Sequence, residues 1–397
     1  MRLFAEELRK LARPGLLAVL ALVGAAYFFI LPSFYVEPDY VNHGNGIESG
    51  RLLNARYGST LEDDEFEDLT RTLLPEIRTQ LDTRLAEIPL AAQYGLAHYD
   101  DFERFWFDTV QNSVSENREM SSEYEDCMRI ITALNAADSL HDSYEQLLTL
   151  CDNFESYERP REQDPRLIDA SGLTPRELDF EKSVRYGPKQ AWRGILPSRV
   201  VYYTLPYAEE GVMWVVLSVL LLVSTPLVGD RLARMRALQW SSRQGRRILV
   251  TQFGAAMLSA FLWIALNTAV YLAVFSRNNF GVFAAAPMSA SLSGLSFAGD
   301  MNYGQWCMLL VGMAFFLGLG AAALGFFVAR YSGDYVSMLL KLAPLAAAVG
   351  FFTDHVFNHT ASYFCSDLPL IVLFFAAALG LCMAACLRQR RKELLSA

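Results

Sequence analysis

The chain has 397 residues, of which 53% are hydrophobic and 19% are charged, and its formal net charge is −9. Its mean hydropathy is +0.20. A soluble protein of this length would carry more charge and no apolar run like 211–228. The composition therefore excludes an ordinary soluble enzyme and predicts an integral membrane protein.

The first predicted element is a short amphipathic helix over residues 1–13. Phe4, Leu8 and Leu11 form an apolar stripe, the charged residues occupy other positions, and Pro14 ends the helix. Such a pattern is typical of a helix that lies along one face of a membrane.

Six apolar stretches follow, and each is long enough to cross a bilayer, which takes about 20 residues. Their bounds are 15–35, 211–228, 248–275, 306–329, 336–353 and 367–387. The first, which we assign to a helix over 14–36, is not a cleaved signal peptide, because no small-residue cleavage pattern follows it. We predict an all-α integral membrane protein with six transmembrane helices, five of them within 209–397.

A large insert, residues 37–208, separates the first two spans. Its apolar residues recur three or four positions apart in four runs, which predicts four or more helices and little strand. The runs are Phe66–Ile88, Phe102–Val110, Met128–Leu134 and Leu140–Cys151. The insert contains 33 acidic and 17 basic residues, and at about 170 residues it can form a domain with its own core.

The basic residues predict the orientation of the chain. They are concentrated in 1–13, in the loop 229–247 and in the tail after 387, whereas loops 276–305 and 354–366 contain almost none. Loops rich in Lys and Arg remain in the cytoplasm. We therefore expect both termini inside and the domain 37–208 outside the cytoplasm.

Two cysteines, Cys127 and Cys151, lie on neighbouring predicted helices of this domain. An external location permits a disulfide, and a bridge closing about 25 residues would stabilise the fold by roughly 3 kcal/mol. Two buried thiols are the alternative, and the sequence leaves both open.

Several classes of activity lack their characteristic residues. Lys341 is the only charged residue well inside a span, so the relay of charges used by ion-coupled transporters is missing. None of the five lysines follows a glycine, which excludes a phosphate-binding P-loop. We predict no catalytic residues, no metal site and no cofactor, and we expect no nucleic acid partner.

The longest predicted inner loop, 229–247, is also the most basic. Its first half has an apolar stripe, and a glycine turn with further arginines follows. Anchoring by positive charge accounts for part of this pattern, and a short helix that contacts a partner accounts for the rest. The candidate site residues are Asp230, Arg231, Trp240, Ser241, Ser242, Arg243, Gly245, Arg246 and Arg247.

These features together resemble the membrane (permease) subunit of bacterial type-2 ABC exporters, in the subset with a large extracellular domain after the first span. The resemblance rests on the amphipathic N-terminal helix, the six spans with both ends inside, and the loop. The family's aromatic-Ser-Ser and Gly-Arg signature matches Trp240-Ser241-Ser242 and Gly245-Arg246, with Trp240 replacing the usual Tyr.

The resemblance implies that the loop 229–247 couples the permease to a separate cytoplasmic ABC ATPase. It also implies a homodimer or a pair with a similar permease subunit, in contact with membrane lipid in the bacterial cytoplasmic membrane. The expected activity is ATP-driven export of an amphiphilic or peptide-like substrate. The alternative is a receptor or sensor whose external domain binds a ligand and signals to a cytoplasmic partner.

Overall fold

The computed structural model describes residues 2–36, 47–115, 122–158, 175, 193–232, 248–288, 301–360 and 368–395. These residues are mainly helical, and the only β pairing among them is two isolated bridges. Six of the helices are long and apolar enough to cross a membrane. The prediction of a helical multi-pass membrane protein is confirmed at this level.

The chain begins with two helices separated by a bend. Helix α1 is Arg2–Leu11 and helix α2 is Pro14–Ile30. Arg13 between them has an extended backbone, because the residue before a proline is disfavoured in the helical region. A 3-10 turn, Pro32–Tyr35, follows α2.

The inserted domain consists of seven helices among its described residues. They are α3 (Ile47–Tyr57), α4 (Asp63–Asp68), α5 (Leu74–Glu87), α6 (Pro89–Gln93), α7 (Tyr99–Ser115), α8 (Ser122–Asn135) and α9 (Leu140–Glu158). A π-helical turn, Leu69–Leu73, joins α4 to α5. Pro75 explains this turn, since proline cannot donate the hydrogen bond that a regular α-helix requires there.

The core of this domain is a single cluster of buried apolar side chains that draws on all four predicted runs. One predicted face is displaced. The third run was predicted with Met128, Ile131 and Leu134 on one face, but Met128 is 40% exposed, and α8 buries Cys127 and Ile130 together with Leu134. These three residues also recur at helical spacing, so the stripe is rotated by about one position.

The other five membrane-spanning helices follow the domain. They are α10 (Ser198–Leu232), α11 (Ile248–Phe275), α12 (Tyr303–Arg330), α13 (Tyr335–Thr360) and α14 (Leu368–Leu395). Three of them extend well beyond the apolar stretches that predict them, and α14 does so at its C-terminal end. Helix α10 begins well before 211, and α13 continues past 353, so Asp354 and His355 lie in a helix and not in the expected loop. Apolarity marks the hydrocarbon layer, whereas the helix continues as long as its backbone hydrogen bonds do.

Helix α12 lies at the centre of the bundle and packs against α10, α11 and α14. A Cβ atom at Gly318 would lie 2.7 Å from the Ile264 side chain, and one at Gly325 would lie 3.2 Å from the Leu220 backbone oxygen. Small residues permit such close helix packing. These two glycines of α12 therefore serve contacts within the chain's own bundle.

The inserted domain is joined to the bundle near the start of α10. The Arg51 guanidinium donates a hydrogen bond of 2.6 Å to the Asn278 carbonyl oxygen, and the Asn278 amide donates one of 2.8 Å to the Tyr35 carbonyl oxygen. Ile47, at the start of α3, is fully buried in the bundle's own core. Apolar packing and hydrogen bonds thus both fix the domain on this end of the bundle.

Candidate functional site

The end of α10 remote from the inserted domain carries a polar cluster, which we call the Lys10 cluster and define as Glu7, Lys10, Asp230 and Gln252. The Lys10 ammonium donates to Glu7 at 2.9 Å and to Asp230 at 3.0 Å. The Gln252 amide donates to the other Glu7 oxygen at 3.4 Å. Three helices, α1, α10 and α11, therefore meet at these four side chains.

Burial makes these contacts strong. The side chain of Glu7 is 5% exposed, that of Asp230 is 15% exposed and that of Lys10 is 27% exposed. Hydrogen bonds with a charged donor and a charged acceptor are stronger than neutral ones, and a low dielectric strengthens them further. One ammonium serves two carboxylates, so loss of Lys10 would leave two buried negative charges close together.

Apolar packing holds α1 in the same place. Leu11 is buried with Ala255 and Ala256 of α11 in one apolar cluster, and Phe4 packs against that cluster. The apolar stripe predicted for α1 therefore packs, through Phe4 and Leu11, against the helix bundle. Because Glu7 lies between Phe4 and Leu11 on the helix surface, it is buried with them, and it takes Lys10 and Gln252 as its polar partners.

Asp230 is the one predicted site residue whose side chain the structure describes, and it belongs to the Lys10 cluster. Arg231 continues helix α10, which ends at Leu232. The remaining residues of the predicted coupling loop lie outside the described residues; they are Trp240, Ser241, Ser242, Arg243, Gly245, Arg246 and Arg247.

A second polar cluster lies on α10 nearer the inserted domain; we call it the carboxyl cluster and define it as Tyr27, Glu209, Glu210 and Asp354. Tyr27 donates a hydrogen bond to Glu210, and the carboxyl group of Glu209 lies beside that of Asp354. The cluster therefore joins α2 to α10 by a hydrogen bond and brings a carboxyl group of α13 against α10.

Nearby Tyr35, in the 3-10 turn after α2, shares this environment. Burial, together with the charge of Glu210, raises the pKa of the Tyr35 phenol. The sequence did not predict the carboxyl cluster, because Glu209 and Glu210 precede the apolar run 211–228 and therefore lie outside the predicted span. Two adjacent acids at the edge of an apolar run are the signal that could have indicated it.

Two tryptophans of α10 and α11 form hydrogen bonds within the spans. The Trp214 indole donates to the Asn267 side chain at 3.0 Å, and the Trp263 indole donates to the Ser218 hydroxyl at 2.9 Å. In hydrocarbon every polar group needs a partner, so these contacts fix the register of α10 against α11.

The two cysteines of the inserted domain, Cys127 and Cys151, are buried thiols in the structure, with no bond between their sulfur atoms. Burial raises the pKa of the Cys127 thiol, which keeps it protonated and weakly nucleophilic. Both side chains pack in the domain interior in this structure, and the disulfide stays a prediction.

Two carboxylates of the acidic helix α4, one at each end, pair with neighbouring groups. Asp68 accepts hydrogen bonds from Arg56 at 2.8 Å and from the Tyr57 hydroxyl at 2.8 Å. These hydrogen bonds lower the pKa of Asp68, and the one from Tyr57 has the largest effect. Asp63 pairs with Arg193 at 2.6 Å. Within the described part of the chain, no group of three or more His, Cys, Asp or Glu side chains is arranged to hold a metal ion.

Comparison with known proteins gives no relative: no family model, no curated protein and no solved structure matches this chain.

Proposed function

We propose that this chain is the membrane subunit of an ATP-binding cassette exporter and that a separate ATPase binds the coupling loop 229–247, whose part 231–247 we call the basic segment. In this proposal the segment lies in the cytoplasm, the inserted domain lies outside, and the membrane is the bacterial cytoplasmic membrane. Two such subunits, identical or similar, form the pathway for an amphiphilic or peptide-like substrate.

The observation that carries the proposal is the ion pair between Lys10 and Asp230. Asp230 directly precedes the basic segment, and its carboxylate is held by an amphipathic helix that also packs on α11. The segment therefore leaves the bundle from a fixed point. A segment that transmits force from a partner needs such an attachment, because a loosely held loop would move without moving the helices.

The length of α10 supports the same proposal. Its 35 residues form one continuous helix, which at 1.5 Å per residue is about 52 Å long. Since α10 begins at the inserted domain and ends beside Asp230, one helix connects the domain to the point where the basic segment leaves the bundle, although Pro206 and Pro226 interrupt its backbone hydrogen bonds. The chain itself has no P-loop, so the energy for transport would come from the partner.

The test is copurification of the tagged, full-length protein from its native membrane with an ATPase. We expect the complex to hydrolyse ATP. The triple variant Arg243→Glu, Arg246→Glu and Arg247→Glu reverses three charges of the segment, so we expect it to insert normally but to lose the ATPase and the hydrolysis.

The matched control reverses three charges elsewhere, with Arg388→Glu, Arg390→Glu and Arg391→Glu in the tail. It should retain the ATPase, which separates a local contact from a general effect of charge. If the segment variant retains the ATPase, the coupling assignment is wrong. If the unchanged protein copurifies with a signalling protein and no ATPase, the receptor hypothesis replaces the exporter hypothesis.

A further inference from the structure

An apolar cavity of about 90 Å³ lies between α10, α11 and α12, in the half of the bundle nearer the inserted domain. Val212 of α10 forms its inner wall, and Leu272 and Phe275 of α11 line it together with Val311 of α12. Aliphatic and aromatic side chains dominate the lining.

Helices α11 and α12 are joined by ring contacts on the side of the cavity remote from the inserted domain. Phe261 contacts Phe315 near the middle of the bundle, with ring centroids 5.2 Å apart, and Phe253 contacts Phe326 in the remote half, with centroids 5.3 Å apart. In the other half, the segments 268–275 and 307–314 face each other across the cavity.

The exposure of the lining residues indicates where the cavity opens. Val212 and Leu310 are each 4% exposed, whereas Leu272 is 49% exposed. The inner wall is therefore closed and the rim between α11 and α12 is open. Val270, on the same stretch of α11, is 53% exposed, so the rim lies on the apolar side surface that faces hydrocarbon in a membrane.

A positive charge lies close to the rim. Arg277 follows Phe275 by two residues, its side chain is exposed, and it forms no ion pair within the described part of the chain. It lies just beyond the end of α11, where a headgroup would lie above the acyl chains. Phosphate is the anionic group of a phospholipid, and arginine binds it well.

We propose that the cavity holds a short segment of one acyl chain of an anionic phospholipid, with the phosphate at Arg277. An apolar cavity open to hydrocarbon gains dispersion contacts when a few methylene groups fill it. This site goes beyond the proposed export function, because binding a lipid there requires neither an ATPase nor a second subunit.

The test uses the full-length protein in lipid nanodiscs that contain phosphatidylglycerol with a photoreactive diazirine in one acyl chain. After illumination, the crosslinked peptides are identified by mass spectrometry. We expect crosslinks on 268–275 and 307–314. The variant Val311→Trp fills the cavity and should reduce these crosslinks about tenfold. Excluding one methylene group costs about 0.8 kcal/mol, so excluding two exceeds the 1.4 kcal/mol that corresponds to a tenfold change.

The matched control for size is Val250→Trp, at an exposed position at the other end of α11, which should leave the crosslinks unchanged. Arg277→Gln serves as a second variant because its exposed position makes misfolding of no concern. It should reduce the phosphatidylglycerol crosslinks about fivefold, to the level of a diacylglycerol carrying the same chain, since one basic residue near anionic lipid contributes about 1 kcal/mol.

Crosslinks spread evenly over the exposed helix surfaces, with no effect of Val311→Trp, would overturn the cavity as a site. Cavity crosslinks that are equal for phosphatidylglycerol and diacylglycerol, and unchanged by Arg277→Gln, would overturn the phosphate contact. Neither result depends on the presence of an ATPase, so failure here is distinguishable from failure of the export proposal.

Discussion

The two polar clusters on α10 attach the N-terminal helices to the bundle in different ways. At the Asp230 end, an ammonium bridges two carboxylates, whereas at the Glu210 end a tyrosine hydroxyl donates a hydrogen bond to a carboxyl group. The first attachment has a positively charged donor and the second a neutral one. We therefore expect the charge-based attachment to fail when one partner is lost, and the hydrogen-bonded attachment to tolerate a neutral replacement.

The largest effect should come from Lys10→Glu, which places a third carboxylate beside Glu7 and Asp230. Breaking a buried ion pair by removing one partner costs about 3 kcal/mol or more. We expect a large fall in the unfolding temperature of the detergent-solubilised protein, together with lower yield in the membrane. A variant as stable as the unchanged protein would contradict the buried contacts of the Lys10 cluster.

The control for this prediction exchanges the charges by combining Lys10→Asp with Asp230→Lys. Because the opposite charges remain adjacent, the double variant should recover part of the stability that each single variant loses. Additive losses in this cycle would mean that Lys10 and Asp230 do not interact.

A smaller effect is expected in the carboxyl cluster. Glu210→Gln keeps an oxygen that accepts the Tyr27 hydroxyl, so stability should change little. Glu210→Leu leaves that hydroxyl without its acceptor and should cost about 1 kcal/mol. Thermal unfolding of both variants measures the difference. If the amide variant is as unstable as the leucine variant, the charge of Glu210 matters, and the contrast between the two clusters is wrong.

The smallest effect should come from the two tryptophan hydrogen bonds that join the middle of α10 to α11. Asn267→Leu removes the acceptor of the Trp214 indole, and side-chain hydrogen bonds between membrane helices contribute about 0.6 kcal/mol on average. The same measurement on Trp263→Phe, which removes the other indole contact, should give a similar loss. A loss as large as that of Lys10→Glu would show that these neutral contacts are as important as the ion pairs.

Much of the fold could be predicted because it follows from local patterns. Apolar length indicated the six spans, and helical spacing indicated the runs that contain Leu81, Phe102 and Leu147, all of which are buried in the domain core. The spacing of apolar residues did not show which face of α8 is buried. Apolar residues lie on more than one face of this helix, so its packing against other helices decides that Met128 is exposed.

The polar clusters could not be predicted, because they join residues far apart in the chain. Lys10 and Asp230 are 220 positions apart, and no local pattern connects them. The burial of Glu7 was also missed, since an acid within an amphipathic helix is expected to face water. Asp354 was assigned to a loop, because its helix continues beyond the apolar residues that mark the span.

The central claim is that the segment after Asp230 is the contact for an ATPase. Its most direct test replaces Ser241 by the photoreactive residue benzoylphenylalanine in the full-length protein and illuminates native membranes. We expect a crosslink to a nucleotide-hydrolysing subunit from position 241 and none from the same replacement at Gln389 in the tail. The absence of that crosslink from position 241, or a crosslink only to proteins without ATPase activity, would contradict it.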